Sequence, residues 1–203
     1  MTGSAQKSDP FVLIDSEIVY ENPWIRVEHQ SVIRPDGKDG VYGIVHFANR
    51  AVAIMPIEDN GDVWLVGQWR RPTKSWSWEI PEGGVPHHED LEVGAKRELR
   101  EETGLQADHL LRVLDFDISN SVSDEVGTSF IAYGLTQGLC APEGTEVIEV
   151  RRVHFTVLMA EIEAGLIRDS LTLATALRAH QLAVAGRLPA QLCQAMLTAH
   201  KGD

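Results

Sequence analysis

Strands come first in this chain, then one helix, more strands and a closing run of helices. That order predicts an α+β protein: an α/β/α sandwich around a mixed sheet, preceded by a small antiparallel β domain. Three observations predict it. Between 11 and 46, short β-rich runs alternate with turn residues. Residues 51–56 form a continuous apolar run, the pattern of a strand buried on both faces. A helical segment near 90–103 has residues suited to both caps and lies between two groups of strands.

Residues 1–10 are polar and small and read as a frayed tail. The runs 18–20, 25–29 and 41–46 are β-rich, with Asn22-Pro23 and Pro35-Asp36-Gly37 as turns between them. Three short strands make a sheet too small to stand alone. The segment 11–48 is therefore expected to lean on a partner, with 49–203 as the main domain. Asp59-Asn60-Gly61-Asp62 separates the run 51–56 from a strand at 63–69, which predicts a hairpin. Residues 76–80 are aromatic and extended, and Pro81-Glu82-Gly83-Gly84 breaks the pattern. The helix then runs from Asp90 as N-cap to Thr103, with Gly104 just past its end. Strands are expected near 113–118, 128–133 and 147–155, and helices near 157–164, 171–185 and 189–199. Pro189 suits a first helical turn.

The chain has 203 residues, and 18 Lys+Arg against 30 Asp+Glu leave a net charge of −12. A nucleic-acid binder or an anionic-membrane binder needs the opposite sign. An anionic substrate would need a local offset, and a divalent cation is the simplest one. Cys140 and Cys193 have no CxxC spacing and are expected as ordinary thiols in a reducing compartment. The polar N-terminus has no apolar h-region, and no apolar run reaches membrane-spanning length. The expectation is a cytoplasmic protein. Adjacent His87 and His88 lack the spacing of a zinc helix and read as loop residues.

Chemistry concentrates between Glu79 and Leu105. Eight acids, Glu79, Glu82, Glu89, Asp90, Glu92, Glu98, Glu101 and Glu102, face only Lys96, Arg97 and Arg100. On a helix advancing about 100° per residue, Glu98, Glu101 and Glu102 fall on one side. Three crowded carboxylates repel one another unless a cation joins them. Hard oxygens converging on one spot suit Mg²⁺ or Mn²⁺. A solvated charged face is the plainer alternative.

The spacing Gly83, five residues, Glu89, seven residues, then Arg97-Glu98-Leu99-Arg100-Glu101-Glu102-Thr103-Gly104-Leu105 resembles the Nudix box, Gx5Ex7REUxEExGU, at every defined position. The resemblance implies a loop–helix–loop that binds divalent metal, Mg²⁺ with Mn²⁺ as an alternative. It implies Glu98 and Glu102 as principal metal ligands, Glu101 as a further or water-mediated ligand and catalytic residue, and the Glu82 carbonyl as a backbone ligand. Arg97 would orient the carboxylates, Leu99 and Leu105 would anchor the core, and Gly83 and Gly104 would hold special backbone geometry.

Residues 16–46, the stretch Val63-Trp64-Leu65-Val66-Gly67-Gln68-Trp69-Arg70-Arg71-Pro72 and Trp78-Glu79-Ile80-Pro81-Glu82-Gly83-Gly84 resemble the ADP-ribose pyrophosphatase and nucleoside-diphosphate-sugar hydrolase branch of that family. This implies hydrolysis of the pyrophosphate bond of a nucleoside diphosphate linked to ribose or sugar, by a homodimer joined through its N-terminal β segment. Arg70 and Glu79 would serve substrate binding, and Trp24 and Tyr42 would flank the base. The catalytic base would lie on the late acidic loop, at Glu146, with Glu143 as the alternative. Asn120 stands where ADP-ribose pyrophosphatases of the branch carry a proline, ahead of Asp124-Glu125. A nucleotide sugar such as GDP-mannose or ADP-glucose therefore stays open beside ADP-ribose. Two other readings are weighed: a non-catalytic Nudix-fold sensor of ADP-ribose or NAD-like ligands, and a dinucleoside polyphosphate or NTP house-cleaning hydrolase.

Overall fold

A computed structural model describes residues 8–138 and 148–198, and its contacts divide the chain into two compact units. One takes in the residues up to Asn49 together with Asp117–Glu125. The other takes in Arg50–Phe116 and the chain from Val126 onward.

The first unit is a three-stranded antiparallel meander, β1 (Val12–Glu21), β2 (Ile25–Ile33) and β3 (Asp39–Phe47), paired in that order. Its strands are longer than the β-rich runs, because ladder hydrogen bonds extend past the residues of high β-propensity. The turns are those the sequence marks. The Asn22 side chain accepts the amides of Trp24 (2.8 Å) and Ile25 (2.9 Å). Gly37 takes the left-handed region at φ 79°. Every residue of β1 is exposed, including Val12, Leu13, Ile14, Ile18 and Val19. The segment 119–125 is hydrogen-bonded along β3: Val45 donates to the Val122 carbonyl (2.8 Å) and Asp124 to the Val45 carbonyl (3.2 Å).

The second unit holds two sheets. The mixed one runs β7 (Glu82–Pro86), β4 (Asn49–Pro56), β9 (Val126–Gln137), β8 (Leu105–Asp117), with β4 and β9 parallel. The other runs β10 (Glu149–His154), β5 (Asp62–Arg70), β6 (Ser75–Glu79) and is antiparallel. α1 (Leu91–Thr103) packs on β7 and β5, α2 (Phe155–Glu163) on β10 and β5, and α3 (Ser170–Val184) on β9, with α4 (Ala190–Leu197) against α2 and α3.

Three local expectations are corrected. The turn at 58–62 forms, with Glu58 donating to the Asp62 carbonyl (2.8 Å) and Gly61 at φ 86°. Apart from a bridge between Ile57 and Val63, however, the flanking strands do not make a hairpin: β4 and β5 belong to different sheets. Val52, Ala53, Ile54 and Met55 are fully buried, and such a strand needs pairing on both edges and cover on both faces. A place between β7 and β9 supplies it. The second correction is at Glu82-Gly83-Gly84, which continues as strand β7 instead of breaking the pattern. The third is at Pro189, which occupies the N-cap position of α4 at ψ 134° with no side-chain capping bond, so it precedes the first turn. Val52, Ile54, Val85, Ala95, Leu99, Leu105, Phe130 and Ala132 form the core that joins α1 to the mixed sheet.

Candidate active site

The site is built on α1 because its ends are fixed and one face is apolar. Asp90 Oδ1 accepts the amides of Glu92 (2.9 Å) and Val93 (3.2 Å), and Gly104 closes the helix in the left-handed region at φ 74°. Ala95 and Leu99 anchor the helix in the core. That rotation sets Glu98 and Glu102 against β7, with Glu101 on Arg97.

Arg97 ties these parts together. Its Nη1 donates to Glu98 (2.7 Å) and Glu101 (3.2 Å), and its Nη2 donates to the Gly84 carbonyl (3.1 Å) and Glu89 (3.4 Å). Partial desolvation opposes its charge, but the surrounding carboxylates, Glu98 above all, raise its pKa and keep it cationic. The planar fork of an arginine is what one group needs to serve three acids and a carbonyl. Glu102 is 7% exposed and accepts the Glu82 amide at 3.0 Å. The Glu98 carboxylate lies against Gly83, in the space a Cβ would fill. Burial pushes the Glu82 carboxyl well above the usual carboxylate range, and the negative charge of Asp169 and a hydrogen bond with it push the same way.

Among the described residues, no three His, Cys, Asp or Glu side chains stand together at ligating spacing. What fits a divalent cation is the donor chemistry. The hard oxygen donors of Glu98 and Glu102 flank a strand whose Gly83 lacks the side chain that would shut them out, and Arg97 Nη1 holds Glu101 beside Glu98. Glu98, Glu102, Glu101 and the Glu82 carbonyl are the groups available to hold such an ion.

Arg70 and Glu79 meet across the β5–β6 ladder. Arg70 Nε donates to both Glu79 oxygens (3.0 and 3.1 Å), and its Nη2 donates to Glu79 Oε2. Glu79 is 2% exposed, so a buried carboxylate sets the orientation of a guanidinium that remains partly open to solvent. Its hydrogen bond to Glu79 raises the pKa of Arg70.

Trp24 and Tyr42 lie in the first unit. Trp24 is 69% exposed in the turn held by Asn22. The Tyr42 hydroxyl donates to the Ser121 carbonyl (3.0 Å), and its ring meets Phe11 edge-on at 5.7 Å. Glu143, Glu146 and Cys140 lie outside the described residues. Cys193 is a buried thiol donating to the Leu188 carbonyl.

Three residues escaped the sequence reading. Arg50 Nη2 donates to the carbonyls of Pro86 (3.1 Å) and Glu89 (2.5 Å), bracing the turn before α1. Thr172 and Asp169 open α3, and Thr172 accepts the Ile80 amide at 3.0 Å. An aspartate three residues before a threonine marks a helix start, but the partner 92 residues away has no sequence signal.

Residues 48–174 match the NUDIX domain family, and residues 13–45 match the nucleoside diphosphate sugar hydrolase N-terminal domain. The chain is 30% identical over 161 residues to an ADP-ribose pyrophosphatase of Bacillus subtilis (strain 168), covering 78% of this chain and 86% of that protein. It is 30% identical over 142 residues to a methanol dehydrogenase activator of Bacillus methanolicus, covering 68% and 76%. A crystal structure of an ADP compounds hydrolase superposes with a TM-score of 0.79 at 21% identity, over 92% of this chain and all of that one. With the box acids gathered beside β7 and both parts of the chain matched, the protein belongs to the Nudix family, as a pyrophosphatase of the branch that carries a nucleoside diphosphate sugar hydrolase N-terminal domain.

Proposed function

We propose that this enzyme hydrolyses the pyrophosphate link of a nucleoside diphosphate joined to ribose or a sugar, in a Mg²⁺-dependent reaction that releases a nucleoside monophosphate and a sugar phosphate. The observation that carries the proposal is the knot of Arg97 with Glu89, Glu98 and Glu101, next to Glu102 and the Glu82–Gly84 strand. Its setting supports the substrate class. The N-terminal segment matches the domain type found in nucleoside diphosphate sugar hydrolases, and the Bacillus subtilis relative is an ADP-ribose pyrophosphatase.

Glu98, Glu102, Glu101 and the Glu82 carbonyl would hold the divalent ion, which would supply neutralisation of diphosphate charge and a more acidic bound water. The chain supplies the rest. Arg97 holds Glu98 and Glu101 in place while remaining charged. Arg70, oriented by Glu79, presents its outer edge to the diphosphate. Glu146 takes the proton of the attacking water. Trp24 and Tyr42 contact the base, and the exposed apolar β1 joins two copies in a cytoplasmic homodimer.

The test is a hydrolysis screen over ADP-ribose, ADP-glucose, GDP-mannose, dinucleoside polyphosphates and NTPs, each with Mg²⁺, with Mn²⁺ and with chelator. The proposal expects metal-dependent release of a nucleoside monophosphate from one of the first three. Preferred turnover of NTPs or dinucleoside polyphosphates would overturn the substrate class.

A further inference from the structure

The joint between β6 and β7 is two residues long, Ile80 and Pro81. On one side of it stands Glu79, the partner of Arg70, and on the other stands Glu82, whose amide donates to Glu102. Three different elements hold this stretch. The Pro81 carbonyl accepts the Ile54 amide of β4 (2.8 Å), and Glu82 is tied to α1 through Glu102. The Ile80 amide donates to the Thr172 hydroxyl of α3 at 3.0 Å. Ile80 and Thr172 are both fully buried, so no solvent is available to replace that bond. Thr172 is itself fixed, because its amide donates to Asp169 Oδ2 at 2.7 Å, the N-cap of α3.

We infer that Thr172 is a positioning residue of the active site: its hydroxyl sets where the Ile80–Pro81 joint lies, and so sets Glu82 and Gly83 against Glu102 and Glu98. The inference rests on the proposal that the Glu82 carbonyl, Glu98 and Glu102 hold a divalent ion. Buried hydrogen bonds cost more to lose than they contribute when made. A buried amide that loses its acceptor must either remain unpaired or move to find another. The adjoining residues Pro81 and Glu82 are the ones that carry any movement into the metal-binding end of β7. Groups bonded directly to metal ligands alter metal affinity by about tenfold to a hundredfold when removed, and Thr172, acting one step further out through Ile80, falls at the low end.

The experiment measures Mn²⁺ binding to the full-length, substrate-free protein by electron paramagnetic resonance, with thermal melting recorded on the same samples. Thr172→Val keeps the shape and removes the acceptor. It should weaken Mn²⁺ binding by roughly tenfold. Thr172→Ser loses a methyl group and keeps the acceptor. It should melt lower than wild type yet bind Mn²⁺ with wild-type affinity. Should Thr172→Val not fold, Thr172→Cys, with a longer and weaker acceptor, is the replacement and should lie between the two. A Val or Cys variant that melts lower but binds Mn²⁺ normally would overturn the inference, since a merely structural threonine behaves that way. Glu102→Gln separates this failure from that of the underlying reading. If Glu102→Gln loses Mn²⁺ and Thr172→Val does not, only the positioning role fails. If Glu102→Gln binds Mn²⁺ as wild type does, the metal assignment fails and takes this inference with it.

Discussion

The carboxylate of Glu98 rests on the backbone of Gly83, where a Cβ would collide with it. Gly83 is not among the glycines with positive φ, whereas Gly104, at the other end of the box, has φ 74°. Two glycines of one motif therefore answer different demands, one for space and one for a left-handed backbone. Gly83→Ala should displace Glu98 from β7 and lower kcat about a hundredfold or more, about 3 kcal/mol of transition-state stabilisation. Gly104→Ala should mainly lower the melting temperature, by a strain of about 1 kcal/mol. Kinetics and melting curves on the two variants check this, and equal loss of turnover in both would contradict it.

Glu102→Gln keeps the volume of a side chain that is 7% exposed and removes its charge. Its acceptor for the Glu82 amide survives in the amide oxygen, so the fold should be retained. We expect kcat to fall by about a hundredfold or more, with circular dichroism unchanged. Wild-type turnover at saturating Mg²⁺ would refute the ligand assignment.

Glu79→Gln leaves Arg70 without its charged partner beside a buried site. The neutral amide still accepts one hydrogen bond, so the stability loss should be about 1–2 kcal/mol. KM should rise several-fold, because the proposed contact of Arg70 with the diphosphate would lose its orienting partner. Arg70→Lys should raise KM as well, since an ammonium cannot make the forked contact. A Glu79→Gln variant with unchanged KM would uncouple this pair from substrate.

His46 bridges Glu28 (2.8 Å) and Asp124 (2.7 Å) within the first unit, and so fastens the segment 119–125 to β3. Hydrogen bonds that His46 donates to Asp124 and then to Glu28 raise its pKa above its ordinary 6.5. Glu28 is lowered below 4.5, first by Gln30 and then by His46. Asp124 is lowered below 3.8 despite the opposing effect of burial, through the Phe47 amide and His46. The raised histidine contributes stability that is complete below 6.5 and is lost as pH rises through its folded value. The lowered acids contribute stability present above 4.5 and 3.8 and lost as pH falls through their folded values. The fastening is therefore strongest between about pH 4.5 and 6.5. Amide exchange at Val45 and Asp124, corrected for intrinsic rates, should be slowest in that window. His46→Gln should flatten the high-pH limb, and an unchanged profile would count against the bridge.

With Glu146 as the proposed base, Glu146→Gln should lower kcat steeply with little change in KM, because the proton it would accept from water moves only in the transition state. Glu143→Gln should be mild. The reverse outcome would shift the base by three residues and leave the reaction class standing.

The Nudix box is legible in the sequence because its constraints are local. Four-residue spacing on a helix sets Glu98 and Glu102 one turn apart wherever α1 goes, and Asp90 and Gly104 cap that helix with groups a few residues away. The meander of β1 to β3 is legible for the same reason, since its turns rest on Asn22 and Gly37. The tertiary structure alone decided that β4 and β5 part into separate sheets. A turn can reverse the chain, but only burial on both faces chooses the neighbours of an apolar strand. It likewise decided that Glu79 orients Arg70, that Arg50 braces 86–89, and that Thr172 holds Ile80. Each of these last bonds satisfies a group buried by packing, and no pattern of neighbouring residues encodes which distant side chain will be there to meet it.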